Sequence, residues 1–135
     1  MLQPKRTKFR KFQKGRVHGI VSNTTKLVFG QYGFKALEAG RLPAKTLEAV
    51  RRILTGKFKR QGQIWIRVFP DSAVSQKPAE VRMGKGKGAP CFWVCRVKKG
   101  QILFEIDGVS PQLAKQAALL AHFKLPFKTQ FITRD

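Results

Sequence analysis

The apolar positions follow two periods. Between residues 43 and 59 they recur with helical spacing. At about 100° per residue, Leu47, Val50, Leu54 and Phe58 fall within about 80° of one another and form one core-facing stripe. Pro43 fits the first helical position. Lys45, Arg52 and Lys59 recur every seven residues on the opposite side, and Gly56 weakens the last turn. Residues 63–69 alternate instead, with Ile64, Ile66 and Val68 on one face and Trp65, Arg67 and Phe69 on the other, until Pro70-Asp71 ends the strand. A polar loop follows, then a short strand over 79–83. Strands over 92–97 and 101–107 are joined by Lys98-Lys99-Gly100, a hairpin turn signal. Asp107-Gly108 marks another turn. Ser110 fits an N-cap and Pro111 the first position of a helix over 111–124, whose buried stripe reads Leu113, Ala117 and Leu120, with His122 exposed on the other side. Pro126 stops it, and 127–132 is a last strand. Within the glycine-punctuated stretch 20–37, short strands are expected at 27–29 and 32–37. Runs of strands separated by two helices define an α+β fold with a mixed or largely antiparallel sheet. Residues 17–135 form its single domain. Residues 1–16 precede it as a basic arm.

Charge changes this picture most. The 135 residues carry 28 Lys+Arg against 7 Asp+Glu, a net charge of +21. One domain of this length, 42% hydrophobic, can bury a core, but so much like charge repels itself unless a polyanion is bound. The excess is localised. Residues 1–16 hold Lys5, Arg6, Lys8, Arg10, Lys11, Lys14 and Arg16 and no acid, with Phe9 and Phe12 interleaved. Residues 1–62 together hold 16 cations against 2 acids, a net of +14. Residues 82–99 add six cations and no acid, whereas 100–125 balance to zero. One side of the molecule is therefore basic and another nearly neutral. Counter-ion release on phosphate contact rewards such a layout. No helix-turn-helix, zinc-finger or basic-zipper pattern is present. A basic arm carrying aromatic and Arg side chains suits irregular folded RNA better than regular duplex.

Other chemistries are poorly supported. The acids show no motif spacing; Glu105 and Asp107 share a strand face but flank a turn. No Ser/His/Asp or Cys/His arrangement has a supporting context, so no catalytic residue, cofactor or metal is assigned. The stretch 84–88, with three glycines and two lysines, fails the Walker pattern and precedes a strand rather than a helix. It is read as a thin loop whose Arg82, Lys85 and Lys87 can enter a narrow space lined by phosphates. Cys91 and Cys95, four apart on one strand, stand ~13 Å from each other, too far to bridge, and are read as half-buried thiols. Apolar runs fall short of the ~20 residues a spanning helix needs, and the first residues lack the apolar centre of a secretory signal.

MLQPKRTKFRK at the start, KGR at 14–16, AGRL at 39–42, KRQGQIWIRVFPD at 59–71, KPAEVRMGKGKG at 77–88 and ILFEIDGV at 102–109 resemble the bacterial-type L-sixteen family of large-subunit ribosomal proteins. The likeness runs from Met1 to about Ile132. It implies an α/β-hammerhead type of α+β fold and a place on large-subunit ribosomal RNA near the peptidyl-transferase centre and the tRNA sites. It also implies roles in late subunit assembly and tRNA positioning, with no cofactor and no enzymatic activity. Carried over by position, Lys5, Arg6, Lys8, Arg10 and Lys11 contact ribosomal RNA. Arg51, Arg52, Arg60 and Arg67 belong to the same surface, and Lys14, Arg16, Arg41, Lys45 and Lys59 complete the set. Arg82, Met83, Gly84, Lys85, Gly86, Lys87 and Gly88 form the loop that reaches toward tRNA, and Arg82 stands where some relatives carry a modified arginine. The implied partners are ribosomal RNA, tRNA and neighbouring ribosomal proteins, without membrane or homo-oligomer. PCFWVCRV and residues 21–29 depart from the family pattern. PAEVRMGKGKG and GQILFEIDGVS are most similar to the mitochondrial branch. With a start at Met1, this favours an organelle-encoded protein of the mitochondrial matrix, with plastid or bacterial cytoplasm as alternatives. The rival readings are a free RNA-binding chaperone and, more distantly, an RNA-modifying enzyme.

Overall fold

The computed structural model describes residues 2–134. Met1, the first residue of the expected arm, and Asp135, the last of the expected domain, lie outside the described residues. The elements run β1 (Tyr32–Ala36), β2 (Gly40–Pro43), α1 (Ala44–Lys57), β3 (Gln63–Ile66), β4 (Ser72–Gln76), β5 (Ala89–Val97), β6 (Ile102–Asp107), α2 (Pro111–Lys124) and β7 (Thr129–Thr133). They make an α+β fold with two sheets rather than one, a four-stranded sheet in the order β3-β6-β1-β7 and a three-stranded sheet in the order β2-β5-β4. Every paired strand is antiparallel.

The helical stripe of α1 packs as its spacing dictates: Leu47, Val50, Leu54 and Phe58 are all buried. They meet Phe34, Phe104 and Ile106 from the four-stranded sheet, Leu42 and Val97 from the three-stranded one, and Ala117 and Ala121 of α2. One core thus joins both sheets and both helices. Alanine is what lets α2 approach closely. Its buried residues are Ala114, Ala117, Ala118 and Ala121, so the expected stripe is corrected: Leu120 is exposed, displaced by the smaller side chains. Ser110 caps α2 as expected, its hydroxyl accepting from the Leu113 N–H at 3.3 Å. Ser110→Ala is expected to cost about 1 kcal/mol, read as a lower thermal midpoint. His122 is half-buried rather than exposed, with Nδ1 3.1 Å from Thr129 Oγ1.

Several expected elements shift. Pro43 closes β2 and stands before α1 instead of opening it. The strand expected over 79–83 is a turn, and the polar stretch before it forms β4 by pairing with β5. The strand from Gln63 ends at Ile66, although the Arg67 N–H still bonds Leu103 O at 2.9 Å. Lys98-Lys99-Gly100 does turn the chain, with Gln101 N–H donating to Lys98 O, but β5 and β6 do not pair as a hairpin. Each strand enters a different sheet, because Gly100 and Gln101 bond Ala36, the last residue of β1. The last strand starts at Thr129, two residues later than expected. Cys95 is buried and Cys91 exposed, so neither is half-buried, and both are free thiols. Burial pushes the Cys95 thiol up to about 11.

Residues 27–29 form no strand but a bend that crosses the outer face of the four-stranded sheet. The face is open to it because Gly33 has no side chain: a Cβ there would lie 2.5 Å from Leu27 Cδ2 and 2.7 Å from Phe104 O. β6 is thereby covered on both sides, and residues 102–106 are all buried.

Candidate nucleic-acid interface

Most of the basic residues expected to bind RNA fall into three features, two of which are joined to each other. The first is the N-terminal segment. It has no helix or strand, and Lys5, Arg6, Lys8, Arg10, Lys11, Lys14 and Arg16 are all exposed. It does not swing free. Arg41 Nη2 donates to Lys14 O and Gly15 O at 2.9 and 2.6 Å, and Arg96 Nη2 donates to Gln13 O and Lys14 O, both at 2.7 Å. Phe12 packs edge-on against Trp93, and Leu2 lies against the core. Two arginines of the three-stranded sheet thus lash down the backbone while its cations point away. Arg41 is among the residues expected to contact RNA and Arg96 is not; neither role as a strap is written in local pattern.

The second feature is the end of α1. Arg51, Arg52, Lys59 and Arg60 line one open concavity of about 530 Å³ with Thr55 and Gly56. The chain brings them together by closing the helix tightly. The Lys59 N–H bonds Gly56 O and the Arg60 N–H bonds Thr55 O, while Lys59 and Arg60 take φ of 52° and 61°. This is the bonding of a Schellman cap with lysine where glycine is usual. The negative end of the helix dipole favours cations here. Glu48 is the acid beside them, its carboxylate 2.5 Å from Arg51 and 3.4 Å from Arg52. The Arg51 hydrogen bond leads in holding Glu48 down at about 2. Glu48 is therefore ionised at neutral pH and fixes the two guanidinium groups without cancelling the cluster. Lys45 stands apart, beside Leu2, Cys91 and Trp93 near the start of α1.

The third feature is the loop between β4 and β5. Arg82, Met83, Gly84, Lys85, Gly86 and Lys87 are exposed and Gly88 is partly covered. Gly84 and Gly86 take φ of 96° with open space where a Cβ would be, a backbone that L side chains rarely adopt. The loop is tied to the arm: Lys11 Nζ donates to Lys87 O at 2.9 Å, and Lys87 Nζ donates to Phe12 O. Lys77 Nζ bonds Gly84 O and was not among the expected residues. Arm and loop therefore present one cationic surface.

Arg67 differs from the other expected residues. Its Nη1 lies 2.6 Å from Oε2 of Glu105, whose side chain is fully buried. The other oxygen of Glu105 accepts from the N–H groups of Val28, Phe29 and Gly30 at 2.7, 3.0 and 3.3 Å. Burial pushes the Glu105 carboxyl up, but Arg67 and those N–H groups outweigh it and hold it below the usual carboxylate range. Arg67 also sits 5.1 Å from the centre of the Phe29 ring, which stacks on Trp65. The site around Glu105 is a clasp for the 27–30 bend.

Comparison with known proteins agrees with the sequence motifs. A family model described as Ribosomal protein L16p/L10e matches residues 4–132. The chain is similar to Large ribosomal subunit protein uL16m of Prototheca wickerhamii, 70% identical over 132 residues that cover 98% of each chain. It is also similar to Large ribosomal subunit protein uL16 of Nitrobacter winogradskyi, 61% identical over 134 residues covering 99% of this chain and 98% of that one. The corresponding protein of Rhodopseudomonas palustris is 60% identical over the same coverage.

Proposed function

The chain belongs to the ribosomal protein L16p/L10e family and is a structural constituent of the large ribosomal subunit, not an enzyme; from that premise we propose that it cross-links large-subunit ribosomal RNA near the peptidyl-transferase centre and the tRNA sites. The observation that carries this reading is the joining of the arm to the 82–88 loop, with the α1 concavity as a further cationic patch. Phosphates from separate RNA segments meet Lys and Arg side chains there and release counter-ions. The backbone beneath is fixed by Arg41 and Arg96, so these cations are held in place before RNA arrives, which lowers the ordering cost of binding. The glycine-rich loop is the thinnest exposed part of this surface and is the segment assigned to the tRNA side. Arg67 serves the interface indirectly, by keeping the 27–30 bend closed on the sheet. The higher identity to the uL16m relative than to the bacterial ones supports the mitochondrial matrix as the compartment.

The test is sedimentation of ribosomes from the cells that make the protein. It should co-migrate with large subunits at one copy per particle and stay bound through a moderate-salt wash. Recovery only in ribosome-free fractions would sink the proposal.

A further inference from the structure

A hollow of about 430 Å³ lies between the arm and the three-stranded sheet. Phe12 of the arm and Phe92 of β5 contribute to its apolar lining. Lys14, Arg41, Lys87 and Arg96 line it too, and no acid does. Its size falls in the range of small-ligand sites, roughly 300–1,000 Å³. Arg41 and Arg96 use Nη2 for the arm carbonyls, and a guanidinium carries five N–H donors, so each keeps donors for an anion. Phe92 is 40% exposed, so the hollow can be entered from solvent.

Aromatic walls and four cations are what a planar base attached to a phosphate requires. An apolar protein side chain would fill the walls and leave the cations without a counter-charge. We propose that the hollow is a pocket for a single unpaired nucleotide of large-subunit RNA, extruded from its own helix. The base lies on the Phe12 and Phe92 rings, and the phosphate meets Arg41, Arg96 and Lys87. This rests on the reading that the chain binds ribosomal RNA. Because Phe12 belongs to the arm, a nucleotide seated here also pins the arm to the sheet.

Short-wave ultraviolet cross-linking of purified large subunits, with peptides analysed by mass spectrometry, tests it. A nucleotide adduct is expected on a peptide containing Phe12 or Phe92. Its yield should fall about tenfold in Phe92→Ala and persist in Phe92→Trp, which keeps a stacking face. Adducts on the 5–11 and 82–88 peptides with none at Phe12 or Phe92 would overturn the pocket and leave RNA binding standing. A protein–protein cross-link at Phe92 would overturn it as well. Absence of the protein from large subunits would overturn the RNA reading, and the pocket with it. If Phe92→Ala fails to accumulate, the adduct map of the unmodified protein decides alone.

Discussion

Glu105→Gln is expected to lower the thermal midpoint of the free protein by on the order of 10 °C. Breaking a buried ion pair by removing one partner costs roughly 3–5 kcal/mol. The low end applies, because the Arg67 side chain keeps 19% exposure and can regain some water. For a domain of this size about 3 kcal/mol corresponds to roughly 10 °C. An amide can still accept from the backbone N–H groups of residues 28–30, but it sets an NH₂ donor against the Arg67 guanidinium or turns that donor toward the backbone. The bend should loosen, and Trp65 fluorescence should change as Phe29 leaves its ring. The effect depends on pH with a definite sign. The Glu105 carboxyl is held below its ordinary value of 4.5 in the folded state. Its contribution to stability is therefore complete above that value and is lost as pH falls through the lower, folded one. The gap between wild type and Glu105→Gln should be constant near neutrality and close on acidification. Variant and wild type melting within about 1 °C of each other at neutral pH would show that the clasp carries no stability.

Neutralising the arm is the second large effect. Replacing Lys5, Arg6, Lys8, Arg10 and Lys11 together with Gln should weaken binding to a large-subunit RNA fragment on the order of a hundredfold at ~0.1 M salt. Each phosphate contact contributes about 0.7–0.9 to the slope of log affinity against log salt, so the slope should fall by about 3.5–4.5 if all five cations meet phosphate. Truncation is a poorer experiment. The carbonyls of residues 13–15 receive Arg41 and Arg96, and Leu2 lies against the core, so deletion disturbs the fold as well as the charge. Lys115→Gln with Lys124→Gln on α2 is the matched control and should leave the slope almost unchanged. An unchanged slope in the arm variant, measured by filter binding across a salt series, would remove the arm from the interface.

The parts legible in the sequence are those whose cause is local or periodic. The α1 stripe, the apolar run of β6, the Ser110–Pro111 start of α2 and the separation of basic from neutral stretches all follow from spacing and composition, and the family likeness follows from long ordered motifs. What was missed depends on partners distant in sequence. β4, reading SAVSQ, has no strand pattern of its own and exists because β5 lies beside it. Glu105 looks like a residue near a turn, and its burial becomes apparent only when residues 28–30 are folded over the sheet 75–77 positions away. Arg96 and Lys77 read as further surface charge, yet they bind backbone carbonyls of the arm and loop. Leu120 looked like core because leucine usually is; four alanines on the neighbouring face allow a closer approach than it would.

Lysine acetylation of intact large subunits, compared residue by residue with the free protein, asks most directly which surface meets RNA. Lys5, Lys8, Lys11, Lys14, Lys59, Lys85 and Lys87 should be protected at least about tenfold in the particle, with Lys115 and Lys124 changing least. Equal protection on all sides, or strong protection of Lys115 and Lys124 with a reactive arm and loop, would show that the basic face is not where this protein holds its RNA.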